Sequence, residues 1–273
     1  MEKLAFVLLV NVALGLAAYL KRSVTPGGCA AGIVLGSAIL YFGGMFMWMV
    51  LVAFFISSSL LSFYKKNIKK DYEQFMEKNE RRDMVQVMAN GLPGGLFAVL
   101  YGLTGNVLFL VGFVVAFAAS NADTWASEIG MLSKNEPVSI ITLRPVPRGR
   151  SGGVSLLGIL ASMGGASFIG MVFVVSYSLL EGYHHMLFNI AMLATLGGTI
   201  GSLVDSILGA TLQAQYYCTV TDSYTEKRIK EGRPTRLVRG YQVVNNDMVN
   251  FLSSLSAVFL MVILYQPWML LPV

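Results

Sequence analysis

The chain has 273 residues, of which 55% are hydrophobic and only 13% are charged, and its formal net charge is +5. Because about a quarter of the residues in soluble domains are charged, the composition excludes an ordinary water-soluble fold and indicates a membrane protein. The positive charge is explained better by membrane orientation and contact with anionic lipids than by binding to nucleic acid.

Long apolar stretches predict the membrane spans. The first, from Leu4 to Leu20, is followed by Lys21 and Arg22, and we expect it to remain as a span rather than to be cleaved as a signal peptide. Residues 27–63 contain no charged side chain. As one helix they would be about 55 Å long, whereas the hydrocarbon core is about 30 Å thick. We therefore expect two helices that meet at Gly43-Gly44.

The rest of the chain supplies five further spans. The same reasoning divides residues 84–122 into two helices at Thr104-Gly105-Asn106. Three more spans are expected at about 153–179, 186–212 and 247–265. The sequence thus predicts an all-α, polytopic transmembrane helical bundle of about eight spans, which forms a single domain over residues 1–273.

The distribution of Lys and Arg tests this count, because positive residues in short loops favour the cytoplasmic side. Nineteen of the 20 Lys and Arg residues follow the first, third, fifth and seventh predicted helices. Eight helices place these loops on one side, so both termini are expected to be extracytoplasmic. The larger cytoplasmic loops are predicted at about 64–84, 131–152 and 213–246, and the Lys-rich segment 65–70 is expected to face lipid headgroups.

Acidic residues inside predicted spans are candidate functional groups, because a charge in the hydrocarbon core costs on the order of a few kcal/mol. Asp123 and Glu128 lie near the end of the fifth predicted helix, and Asp205 lies before the end of the seventh. On a helix, Asn121, Thr124 and Glu128 form one stripe, and Asp123 lies on a neighbouring one. The alternative is that these carboxyl groups only join helices through hydrogen bonds.

No Lys or Arg lies within either of these spans, so a loop residue, a proton or a divalent cation must balance the acids. Oxygen ligands without a His or Cys cluster favour Mg²⁺ over zinc. We therefore predict that Asp123, Glu128 and Asp205 bind Mg²⁺ and act in catalysis.

Further polar residues of the predicted spans are candidates for a substrate pocket. The segment from Asn90 to Gly95 contains Pro93 and three glycines, which predicts a broken helix that lines a cavity near the same face. The predicted substrate-pocket residues are Asn90, Asn121, Thr124 and Ser206.

A basic, glycine-rich segment opens the sixth predicted helix on the side of the positive loops. A helix N-terminus offers unpaired N–H groups and a positive dipole end, and glycines let a phosphate approach the backbone. The alternative is a positive loop whose glycines permit close helix packing. The segment is not a Walker A motif, because no Gly-Lys-Ser/Thr follows. The predicted nucleotide- or phosphate-binding residues are Arg148, Arg150, Ser151, Gly152, Gly153 and Ser155.

These stretches resemble the integral-membrane family that includes plant phytyl-phosphate kinase and animal transmembrane protein 19. The matching segments are residues 121–130, 152–155 and 201–213 and, more loosely, 86–95. The resemblance implies a nucleotide-dependent transferase that acts on an isoprenoid lipid monophosphate, such as phytyl or prenyl phosphate, with CTP favoured.

We accordingly expect Mg²⁺-assisted phosphoryl transfer that gives the lipid diphosphate. The expected partners are a nucleoside triphosphate, an isoprenoid lipid phosphate and membrane lipids, with no nucleic acid. The alternatives are a cytidylyltransferase, which forms a CDP-lipid, and a lipid-phosphate flippase or transporter. Because the chain begins almost directly with its first span, without a plastid transit peptide, the expected location is a bacterial plasma membrane with the active site facing the cytoplasm.

Overall fold

The structure is a computed structural model that describes residues 2–64 and 81–269. The Lys-rich segment 65–70, and most of the predicted loop 64–84 that contains it, lie outside these residues. The described residues form eight α-helices: α1 (Glu2–Leu20), α2 (Pro26–Ala38), α3 (Gly44–Phe63), α4 (Met84–Thr104), α5 (Val107–Gly130), α6 (Leu156–Leu180), α7 (Met186–Thr211) and α8 (Asn246–Met269). The predicted all-α, polytopic architecture is confirmed.

The helices have the length and composition of membrane spans. Six helical stretches of the described chain are long and apolar enough to cross a membrane, and Leu4–Leu20 is a shorter apolar helix. One of the six, Pro26–Phe63, combines α2 and α3, which are joined by a π-helical turn at Ile39–Gly43. Gly44 follows this turn with a φ of +83°, a conformation that glycine adopts without a Cβ clash.

The turn reverses the direction of the chain, as the sequence predicted at Gly43-Gly44. A Cβ added to Gly102, near the end of α4, would lie 2.2 Å from the carbonyl oxygen of Phe42, so the turn packs against that end of α4. The far ends of α2 and α3 lie on the other side of the bundle. There, the Thr25 N–H donates to the Arg82 carbonyl, and Ser62 donates to Glu128 at the end of α5.

α5 is the central helix of the bundle. Every residue from Leu110 to Ala122 is buried, and the helix contacts α3, α4, α6, α7 and α8. Small residues bring α7 close to it: a Cβ on Gly198 would lie 2.9 Å from the Ala118 carbonyl oxygen, and one on Gly201 would lie 2.8 Å from the Ala119 Cβ. Small-residue contacts of this kind allow close helix association in lipid. They bring the ends of α5 and α7 together.

α4 is continuous through Pro93, so the prediction of a broken helix at this point is wrong. The glycines around the proline serve close packing instead. A Cβ on Gly91 would lie 2.3 Å from the Leu35 side chain of α2, and one on Gly94 would lie 2.3 Å from the Phe117 ring of α5. Helix α4 therefore packs closely against both α2 and α5.

The loops at one end of the bundle form short strands, which the sequence analysis did not predict. In the described residues these are β1 (Val138–Ser139), β2 (Gly153–Val154), β3 (Gln215–Cys218), β4 (Ser223–Thr225), β5 (Ile229–Lys230), β6 (Arg233–Pro234) and β7 (Arg236–Arg239). β1 pairs with β2, β5 pairs with β6, and β3 lies between β4 and β7 in an antiparallel sheet. We name this end, which comprises residues 21–25, 131–155 and 212–245, the basic end.

Candidate functional site

A cavity of about 310 Å³ opens at the basic end, between α4, α5, α6, α7, α8 and the loop before α6. We name it the polar cavity. It brings together residues that are far apart in the sequence. Those predicted site residues that line it are Asn90, Asp123, Thr124, Arg148, Arg150, Ser151, Gly152, Gly153, Ser155, Asp205 and Ser206.

Asp123 on α5 and Asp205 on α7 lie close enough for their charges to interact. Ser202 hydrogen-bonds to the Asp123 carboxylate, and Ser253 Oγ donates to Asp205 Oδ2 at 3.1 Å. Both partners are neutral, and no Lys or Arg of the described chain pairs with either acid. Because like charges repel strongly where water is scarce, the pair favours a shared proton or a divalent cation.

α8 contributes polar groups to the same cavity. Asn246 and Asn250 line it, and Ser253 binds Asp205. The spacing i, i+4 and i+7 places these three side chains on one face of the helix, and it is the sequence signal that could have identified this face. Asn250 Oδ1 is buried and accepts no hydrogen bond from the described residues. Buried polar atoms rarely lack a hydrogen-bond partner, so this oxygen is a candidate ligand for a metal ion.

The side chains around the two acids carry oxygen atoms, the type of ligand that Mg²⁺ takes in proteins. Asp123, Asp205 and Asn250 offer only oxygen ligands, and Mg²⁺ in proteins is commonly held by one or two carboxylates together with substrate phosphates. The predicted third carboxylate is not part of this set. Within residues 2–64 and 81–269, no three His, Cys, Asp or Glu side chains form a metal-binding group.

Glu128 and Asn121 face α3 instead of the polar cavity. Ser62 Oγ donates to Glu128 Oε1 at 2.7 Å, and Ser57 Oγ donates to Asn121 Oδ1 at 2.9 Å. The five positions that separate Asp123 from Glu128 turn the helix by about 140°, at 3.6 residues per turn, so the two acids point in different directions. The structure therefore uses Glu128 and Asn121, a predicted ligand and a predicted pocket residue, to join α3 to α5.

The glycine-rich turn is held against the end of α7. Gly152 has a φ of +83°, and a Cβ there would lie 2.4 Å from the Ala210 Cβ and 2.8 Å from the Ala210 nitrogen. The Gly153 N–H donates to the Arg150 carbonyl oxygen at 3.0 Å. The Gly153 N–H is therefore used within the turn. This differs from the prediction that Gly153 binds a phosphate.

Helix α6 begins at Leu156, later than the predicted start at about 153. Ser155 is its N-cap, because Ser155 Oγ accepts a hydrogen bond from the Gly158 N–H at 3.1 Å. Gly158 and Ile159 line the polar cavity. The first turn of α6, with its positive dipole end, therefore lies beside the cavity, where it favours a bound anion.

Two arginines of the loop border the cavity. Arg150 Nη2 donates to Gln215 Oε1 at 3.2 Å, and its guanidinium lies 5.0 Å from the ring centre of Tyr224. Arg148 Nη2 donates to the Lys134 carbonyl oxygen at 3.0 Å. These contacts fix both side chains. Because a guanidinium has five N–H donors, Arg150 can also bind a phosphate while it keeps its bond to Gln215.

Glu226 is an acid of the cavity that the sequence analysis missed. Its Oε1 accepts hydrogen bonds from Ser151 Oγ and, at 2.9 Å, from Gln213 Nε2. It follows β4 in a polar loop, where nothing in the local sequence distinguishes it. Burial and, to a smaller extent, the charge of Arg150 lower the pKa of nearby Arg239, whereas the charge of Glu226 raises it. Acidic and basic side chains of the loops therefore interact electrostatically here.

Comparison with known proteins identifies the family. Protein PGR of Arabidopsis thaliana is 29% identical over 276 residues, which cover 94% of each chain. An uncharacterized membrane protein of Methanocaldococcus jannaschii is 32% identical over 196 residues, 71% of this chain and 76% of the relative. Protein VTE6, chloroplastic, of Arabidopsis thaliana is 25% identical over 260 residues, 91% of this chain and 68% of the relative.

No solved structure matches the chain significantly. The relatives confirm the resemblance that the motifs indicated. Residues 9–258 match the model of the family described as integral membrane protein DUF92, and the chain belongs to this family of integral membrane proteins.

Proposed function

We propose that the chain is an enzyme that transfers a phosphoryl group from a nucleoside triphosphate to an isoprenoid lipid monophosphate, giving the lipid diphosphate. The observation that carries this proposal is the polar cavity, in which a pair of carboxylates lies beside a basic turn and a helix N-terminus. The resemblance to the family of plant phytyl-phosphate kinase supports the lipid acceptor and favours CTP as the donor. By the positive-inside rule, the basic end faces the cytoplasm.

The residues divide into two groups by charge. Asp123, Asp205 and Asn250 would hold Mg²⁺, which when bound would neutralise the nucleotide phosphates. Arg150 and the first turn of α6 would bind the terminal phosphates, and Arg148 would attract the nucleotide to the mouth of the cavity. Acids alone would repel a nucleotide, and arginines alone would not hold a cation, so the proposal needs both groups.

The reaction needs positioning and charge neutralisation more than proton transfer. An oxygen of the lipid phosphate attacks the γ-phosphorus and forms a new P–O bond. The bond from the γ-phosphorus to the oxygen that bridges to the β-phosphate breaks, and the nucleoside diphosphate leaves. The attacking oxygen is already anionic and needs no general base, which agrees with the absence of histidine among the described residues that line the cavity.

Two other reactions use related chemistry. Cytidylyl transfer would need the same residues but would take place at the α-phosphorus, so its products are a CDP-lipid and pyrophosphate. A flippase or transporter is favoured less, because its sites are typically built from discontinuous helices and α4 is continuous through Pro93.

The test is incubation of the purified protein in detergent with Mg²⁺, geranylgeranyl or phytyl monophosphate, and CTP labelled at either the α- or the γ-phosphate. We expect the wild type to form lipid diphosphate and CDP, and Asp123→Asn and Asp205→Asn to lose this activity. Glu181→Gln, which changes an exposed acid at the opposite end of α6, is the control and should remain active.

Two other results of this experiment would contradict the proposed kinase reaction. A labelled CDP-lipid with release of pyrophosphate would replace the kinase with the cytidylyltransferase. No turnover with CTP, ATP, GTP or UTP, by protein that unfolds cooperatively on heating, would refute the transferase.

A further inference from the structure

A second cavity, of about 500 Å³, lies between α1, α2, α3 and α4. We name it the apolar groove. Its volume falls within the range of about 300–1,000 Å³ that is usual for small-molecule sites. Apolar residues that line it include Leu14, Leu35, Leu51, Phe54, Phe55 and Leu60. A groove with such walls, formed by membrane helices, suits a hydrocarbon chain.

The groove and the polar cavity adjoin each other. Gln86, Asn90 and Thr124 line both of them, so the two spaces meet where α4 and α5 approach the basic end. Asn11, deeper in the groove, does not offer a second polar site. Its Nδ2 donates to the Val7 carbonyl oxygen at 2.8 Å, and its Oδ1 accepts from the indole N–H of a tryptophan on α3 at 3.0 Å.

Arg82 provides a positive charge at the basic end of the groove. Its Nη1 donates to Ser59 Oγ at 3.1 Å, and its guanidinium lies 5.7 Å from the ring centre of Phe55. The backbone is held as well, because the Arg82 N–H donates to the Ser23 carbonyl and the Thr25 N–H donates to the Arg82 carbonyl, both at 3.0 Å. The position of the guanidinium is therefore fixed in the groove that Gln86, Asn90 and Thr124 also line, although Arg82 does not itself line the polar cavity.

We infer that the apolar groove binds the tail of the acceptor lipid and that Arg82 binds its phosphate, at the junction formed by Gln86, Asn90 and Thr124. The inference rests on the proposed function and adds the position of the acceptor. The tail extends from the junction toward the turn at Ile39–Gly43, and the phosphate meets the nucleotide at the junction. The lipid therefore approaches from the bilayer and the nucleotide from water.

The guanidinium of Arg82 and the shared junction favour a lipid monophosphate over an ordinary phospholipid. A phosphate monoester carries close to two negative charges at neutral pH and forms strong charge-assisted hydrogen bonds with a guanidinium. Burial lowers the pKa of Arg82, whereas Glu128 raises it. Glu128 therefore lies close enough to Arg82 for the two charges to interact.

Gly32 offers a way to shorten the groove without disturbing helix packing. The residue lines the groove, and a Cβ there would meet no atom within 4 Å. Gly32→Phe projects a ring into the space, whereas Gly32→Ala leaves most of it open. Val34→Phe is the matched control, because Val34 lies on the same helix, is 68% exposed and does not line the groove.

The experiment measures binding without nucleotide. Geranyl, farnesyl and geranylgeranyl monophosphates, and the corresponding alcohols, compete with labelled geranylgeranyl monophosphate for the purified protein in detergent. We expect wild-type affinity to rise with chain length. Gly32→Phe should lose about tenfold or more of its affinity for the longest chain, equivalent to about 1.4 kcal/mol, because the ring occupies space that the end of this chain fills in the wild type. Gly32→Ala and Val34→Phe should bind like the wild type.

The phosphate contact is tested in the same assay. Arg82→Gln should weaken the binding of the monophosphates by about tenfold or more and leave that of the alcohols unchanged, because a charge-assisted hydrogen bond is lost. Arg82→Lys, which keeps the charge, should retain part of the affinity. Arg81→Gln, which removes an exposed charge at the neighbouring position, is the control and should bind normally.

Two results would overturn the inference. The first is an unchanged dependence on chain length in Gly32→Phe. The second is a copurified phospholipid that Gly32→Phe displaces while the binding of monophosphate stays normal, which would make the groove a site for a structural lipid. Because no nucleotide is present, chain-length-dependent binding without turnover would support the groove and refute only the transferase.

Discussion

Gly152→Ala should loosen the glycine-rich turn from the end of α7. At a φ of +83°, an alanine costs roughly 1–2 kcal/mol more than glycine. Its Cβ would also lie 2.4 Å from the Ala210 Cβ and 2.8 Å from the Ala210 nitrogen, an overpacking that typically costs about 1–3 kcal/mol. The sum is about 2–5 kcal/mol, unless the turn moves away from α7.

Gly105→Ala separates the two causes. Gly105 has a similar φ of +68°, but a Cβ there would meet no atom within 4 Å, so only the cost of the backbone conformation remains. Thermal unfolding in detergent and the binding of Mg-CTP should be measured for both variants. We expect Gly152→Ala to unfold at the lower temperature, or to bind nucleotide more weakly if the turn has moved. Equal unfolding temperatures together with wild-type nucleotide binding would refute the contact between the turn and α7.

Three further predictions concern the acids and the amide. Asp123→Asn and Asp205→Asn should each lower the rate of Mg²⁺-dependent transfer by about 100- to 1,000-fold. The double variant should be little slower than either single variant, because the effects of groups that act as a unit are not additive. A double variant whose loss equals the product of the two single losses would contradict a shared site. Glu128→Gln should lower the unfolding temperature, since Ser62 donates a hydrogen bond to this carboxylate. It should not change the Mg²⁺ concentration that gives the half-maximal rate. An increase in that concentration would indicate that Glu128 is a metal ligand. Asn250→Leu should raise the Mg²⁺ concentration that gives the half-maximal rate. It should not lower the unfolding temperature in the absence of Mg²⁺, because it removes a buried oxygen that has no hydrogen-bond partner among the described residues. An unchanged Mg²⁺ requirement would exclude Asn250 as a ligand.

The order of the helices could be predicted because it depends on local properties of the sequence. The thickness of the bilayer limits the length of each apolar run, and the basic loops fix which ends lie together. Asp123 and Asp205 could be proposed as site residues for a similar reason, since a carboxylate stands out within a span, and the structure places both in one cavity. The turn at Gly43-Gly44 was predictable from the length of the run, although its π-helical form was not.

The environment of each side chain could not be predicted, because it depends on how neighbouring helices are rotated. Glu128 was predicted to bind the metal together with Asp123, although the two lie on neighbouring stripes of the helix, and in the structure the serines of α3 occupy its side of α5. Pro93 suggested a break, but α4 is continuous and the glycines beside the proline pack closely against α2 and α5. Glu226 joins the cavity only because the loop after α7 folds back as a small sheet, and no local pattern indicates that contact.

The burial of residues 110–122 of α5 has a consequence for the biogenesis of the protein. From Leu110 to Ala122 this helix is covered by other helices rather than by lipid, and Asn121 and Asp123 near its end would be costly in bare hydrocarbon. α6, α7 and α8, which supply much of the cover, are synthesised after it. The nascent α5 therefore has to stay beside α3 and α4, or within the insertion machinery, until they arrive. Variants that weaken the contacts of α7 with α5 should consequently accumulate in the membrane to a lower level than the wild type.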